Sequence, residues 1–112
     1  MAYTTNPVFP WGPASVETLT SAATIAAEVN NTCNVLIVAL DTNATLNLTV
    51  DPETKVGSML YVKASSDGTA RSVTPGTGMT GTAISGTINK TKVASFVYDG
   101  STFVHLATQQ ID

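Results

Sequence analysis

A chain of 112 residues with 43% hydrophobic and only 12% charged side chains has room for one domain with its own core, and not for two. Five Lys and Arg against eight Asp and Glu, a net charge of −3, make no patch able to neutralise a run of phosphates, which argues against a nucleic-acid partner. No apolar run approaches the ~18 residues that a membrane helix needs, so no membrane role is expected.

Thr, Ser and Asn supply the polarity that charged residues usually provide, and β-branched Thr favours strands over helices. Residues 1–14 hold Pro7, Pro10 and Pro13 with Tyr3, Phe9 and Trp11 between them. Prolines at that spacing prevent a helix and keep the backbone extended. Aromatic side chains are enriched at contacts, so this segment reads as an N-terminal docking arm whose partner-binding residues are Tyr3, Phe9 and Trp11. The first seven residues lack the basic and apolar regions of a secretion signal. Cys33 is the single cysteine, so no internal disulfide is possible; together these fit a chain folded in a reducing cytoplasm.

Residues 15–112 read as short strands divided by turn residues. Stretches 16–20 and 24–28 suggest a strand pair. Val35-Leu36-Ile37-Val38-Ala39-Leu40 is a continuous apolar run, the pattern of a central strand buried on both faces. Residues 45–50 alternate strictly, with Leu46, Leu48 and Val50 on one side, as in a half-buried strand. Gly57 opens a strand over 59–65, and Asp67-Gly68 marks a turn into 71–74. Residues 75–81 form the longest flexible segment, and Gly86 suggests a bulge in a strand marked by Ile84 and Ile88. Asp99-Gly100 between runs 93–98 and 102–108 predicts a two-residue hairpin with positive φ at both positions. The expected fold is all-β: a small antiparallel sandwich or barrel of about nine short strands, carrying the extended arm.

The candidate chemistry is thin. His105 is the only histidine, so no pair exists for a metal, and a structural or rim position is expected. Cys33 has no cationic neighbour in sequence to activate it. Asp41, Asp51, Glu53, Asp67 and Asp99 fall in turns, where local hydrogen bonds explain them, and none keeps a calcium-loop spacing. Gly76, Gly78 and Gly81 lack the lysine and helix of a phosphate loop. Sequons at Asn30, Asn43, Asn47 and Asn89 read as unglycosylated without a secretion signal. No catalytic, cofactor or metal site is expected, and the chain reads as non-enzymatic.

An ordered set of pieces carries a resemblance. Thr18-Leu19-Thr20 precedes Ala23-Thr24-Ile25-Ala26. Asn34-Val35 opens the strand that ends at Leu40, followed by Thr45-Leu46 and Gly57. Then come Asp67-Gly68-Thr69-Ala70-Arg71-Ser72-Val73-Thr74 and Phe96-Val97-Tyr98-Asp99-Gly100-Ser101-Thr102-Phe103. Over roughly 18–106 the chain resembles a small β-domain of tailed-bacteriophage head-decoration and fibre proteins, with Pro75-Gly76 where related sequences place a tryptophan. The resemblance implies a non-enzymatic virion protein, made in the host cytoplasm and placed on the capsid exterior. Its expected partners are its own copies, as a homotrimer, and the major capsid protein. The short length, without a fibre shaft, favours a capsid decoration (auxiliary head, cement) protein. The alternative is a tail or head fibre domain that binds a host-surface glycan or protein through exposed aromatics such as Tyr98 and Phe103.

Overall fold

The computed structural model describes residues 15–29 and 32–112, and the arm with Tyr3, Phe9 and Trp11 lies outside them. Ten strands and no helix make up these residues: β1 (Ser15–Leu19), β2 (Thr24–Val29), β3 (Cys33–Leu40), β4 (Ala44–Val50), β5 (Met59–Ser66), β6 (Ser72–Pro75), β7 (Met79–Thr80), β8 (Ile84–Ser85), β9 (Thr91–Tyr98) and β10 (Phe103–Gln110). They form a six-stranded sheet in the order β1-β3-β5-β9-β10-β7 and a four-stranded sheet in the order β2-β4-β6-β8. The all-β expectation therefore holds, and the architecture is sandwich-like.

The antiparallel expectation does not hold. β1, β3 and β5 pair in parallel, and so do β2, β4 and β6. The chain alternates between sheets, so odd strands up to β5 lay down one sheet and even strands up to β6 the other. Each parallel crossover is thus a strand of the opposite sheet rather than the usual helix. Short turn signals look alike whether the chain hairpins back or crosses to the facing sheet, which is why 16–20 and 24–28 looked like one pair. Antiparallel pairing appears where the coil is closed off, between β5 and β9, β9 and β10, and β6 and β8.

Alternation within each strand builds the core between the sheets. β3 contributes Leu36, Val38 and Leu40, β4 contributes Ala44, Leu46 and Leu48, and β5 contributes Leu60, Val62 and Ala64, all buried. Phe96 and Phe103 are fully buried and supply the largest side chains of that core. At roughly 1.5–3 kcal/mol for each fully buried large apolar side chain, this cluster is the main source of stability.

Three turns differ from their sequence reading. The β9–β10 connection spans four residues, because Tyr98 faces Phe103 in the ladder. Only Gly100, with φ +99°, takes the left-handed region there. The Asp99 carboxylate closes the loop by accepting the Ser101 and Thr102 N–H groups at 2.8 and 2.9 Å. Residues 75–81 are pinned rather than loose: Thr77 N–H donates to Asn47 Oδ1 at 2.9 Å, Gly76 N–H to the Leu46 carbonyl at 2.8 Å. Met79 in that stretch is buried and starts a parallel pairing with β10. Gly86 marks no bulge in its strand; a Cβ there would lie 2.0 Å from the Arg71 carbonyl oxygen and 2.2 Å from Ser66 Oγ.

Candidate functional site: the outer face of the six-stranded sheet

β3 was expected to be buried on both sides, and only one side is. Leu36, Val38 and Leu40 face the core, whereas Val35 and Ile37 point outward and are half-buried. Paired residues share a face, so the registers trace what surrounds them. One outward row runs Cys33, Met59, Val97, Val104 across β3, β5, β9 and β10. The next runs Val16, Val35, Tyr61, Ser95, Ala107, and the third Thr18, Ile37, Lys63, Val93, Gln109.

Nearly all of these side chains are apolar or small, and Lys63 is the one charge in the three rows. Cys33, Val35, Ile37, Met59, Tyr61, Val93, Val97 and Val104 are half-buried by their neighbours in the sheet. Val16 at the β1 edge is 66% exposed and Ile111 beyond β10 is 52% exposed. An open groove of ≈ 260 Å³ crosses the face, lined by Tyr61, Val93, Ser95, Ala107, Gln109 and Ile111. Among the described residues no further layer lies on this face. Single exposed apolar residues are ordinary; a contiguous apolar face spanning five strands is less so, and is the feature of this surface that stands out.

The opposite outer face, on the four-stranded sheet, is polar: Thr24, Ala26 and Glu28 on β2, Thr45, Asn47 and Thr49 on β4, and Thr74 on β6. Asn43 and Asn47 use their side-chain oxygens to accept the Ser72 and Thr77 N–H groups, so two of the four sequon asparagines are structural ties. Asn89, in a third sequon, sits in a turn with φ 57°, a conformation that Asn tolerates. Asn30 lies outside the described residues.

The residues weighed as chemistry stand apart. His105 is half-buried; its Nε2 is 2.8 Å from Thr108 Oγ1 and its ring centroid is 5.2 Å from that of Phe96. A Cβ on Gly81 would sit 2.3 Å from His105 Cβ, so the imidazole fills the rim of the core between β10 and the chain after β7. Cys33 lies in the outward apolar face beside Met59. Asp67 receives Arg71 Nε at 3.0 Å and Arg71 Nη2 at 3.2 Å, and also the Thr69 N–H. The Arg71 contact and then the Thr69 N–H hold the Asp67 carboxyl below the usual carboxylate value. The Thr102 and Ser101 N–H groups do the same for Asp99. Asp51 Oδ1 accepts the Glu53 N–H at 2.8 Å. These carboxylates are turn acceptors, as their sequence setting suggested. No group of three His, Cys, Asp or Glu that could hold a metal occurs among the described residues.

Exposed stacking aromatics, the basis for a glycan-binding surface, are not found at the positions considered. Phe103 is fully buried, and Tyr98 packs against the core with its ring 5.0 Å from that of Phe103. No family model, curated protein or solved structure matches the chain. The unbroken run 35–40 was read in the sequence as burial on both sides, so the outward face and its extent across β5, β9 and β10 came from the fold.

Proposed function

We propose that this chain is a non-enzymatic virion structural protein of a tailed bacteriophage, a capsid decoration protein that binds the outer head surface as a homotrimer, against the major capsid protein. The observation that carries the reading is the uncovered apolar face of the six-stranded sheet. A strand that is hydrophobic on both sides belongs to a sheet covered on both sides, and the described residues supply one cover only. The second cover comes from assembly.

Magnitudes fit a surface used for contact rather than one left to water. Fully burying a large apolar side chain contributes roughly 1.5–3 kcal/mol, so completing a half-finished burial contributes about 1 kcal/mol each. The seven larger side chains, Val35, Ile37, Met59, Tyr61, Val93, Val97 and Val104, give on the order of 7 kcal/mol before the cost of association, itself an estimated ~4–15 kcal/mol. The face alone is marginal, and a second contact is needed; Tyr3, Phe9 and Trp11 of the arm are suited to supply it. The phage setting comes from the ordered sequence resemblance, and the low charge and turn-bound carboxylates accord with a structural role.

The test uses purified phage heads lacking this protein. Wild-type chain is expected to bind them at saturable occupancy, and a chain carrying Val97→Asp, which puts a charge in the uncharged end row of the face, is expected to leave them bare. Failure of folded wild-type chain to occupy the heads would refute the proposal.

A further inference from the structure

We draw no further inference here: the strongest candidate, the outward apolar face of the six-stranded sheet with the open groove that crosses β5, β9 and β10, belongs to the surface already described, and nothing in the structure shows what covers it.

Discussion

Replacing Gly86 by alanine probes the tightest backbone approach in the domain. The added methyl would stand 2.0 Å from the Arg71 carbonyl oxygen and 2.2 Å from Ser66 Oγ, and neither neighbour is the free end of a flexible side chain. Ser66 Oγ already accepts the Arg71 N–H at 3.1 Å and faces the Arg71 carbonyl at 3.4 Å. Moving the 86 segment away to relieve the clash loosens this small network and the β6–β8 pairing beside it. Two hydrogen bonds at about 1 kcal/mol each and an overpacking cost of ~1–3 kcal/mol overlap in part, giving a loss of roughly 2–4 kcal/mol. For a domain near a hundred residues that lowers Tm by about 8–16 °C. Gly68→Ala is the control, since nothing lies within 4 Å of a Cβ there; it is expected to leave Tm unchanged or raise it slightly through the unfolded state. Differential scanning calorimetry of both variants decides the matter. A Gly86→Ala melting point within 2 °C of wild type would refute the claimed close packing of the 71 and 86 segments.

Gly100→Val is expected to destabilise by about 1 kcal/mol or more in urea unfolding, because φ is +99° and a β-branched residue resists that region; an unchanged midpoint would refute the strain. The acid limb of stability should carry the signature of Asp67 and Asp99. Both are held below their ordinary values in the fold, so their contribution is present above the unfolded carboxylate pKa of ~3.9 and is lost as pH falls through the lower folded values. A chain with Asp67→Asn and Asp99→Asn should therefore lose less Tm than wild type between pH 5 and about 2. An acid limb as steep as wild type's would refute the assignment.

Strand identity was readable wherever a two-residue period or an apolar run stood between turn residues, as at 35–40 and 45–50. Pairing was not. Nothing in Asp41-Thr42-Asn43 records whether the chain returns beside β3 or crosses to the other sheet, and the crossing is what makes the core parallel. The turn at Asp67-Gly68 was placed correctly for a partly different reason: the Asp67 carboxylate organises it, and Gly68 does not use the left-handed region. The segment 75–81 looked loose because glycines dominate it. The Asn47 side chain that ties it down lies thirty residues away in sequence, a pairing that no local pattern reports. The outward apolar face was not foreseen: the hydrophobicity of Val35 and Ile37 was visible but read as burial, and its continuation through Tyr61, Val93 and Val97 depends on registers that only the fold reveals.

The edges of the two sheets sharpen what the open face means. An unpaired edge strand invites addition of another strand, and proteins blunt edges with short strands and inward-pointing charges. β7 and β8, at one pair of edges, have two residues each. At the other pair, β1 has five residues. Its Glu17 is level with buried Leu36 and so lies on the core side of the sheet, lining a groove with Glu28 of β2. A carboxylate there would be desolvated by any strand added across the gap, which opposes growth of the sheets end to end. Three of the four edges thus carry a device against strand addition, while the outward face of the six-stranded sheet carries only the single charge of Lys63 in its far row. Under the assembly proposed above, association would be directed away from backbone pairing and onto side chains of one face, a contact that can close on a fixed number of copies instead of growing without limit.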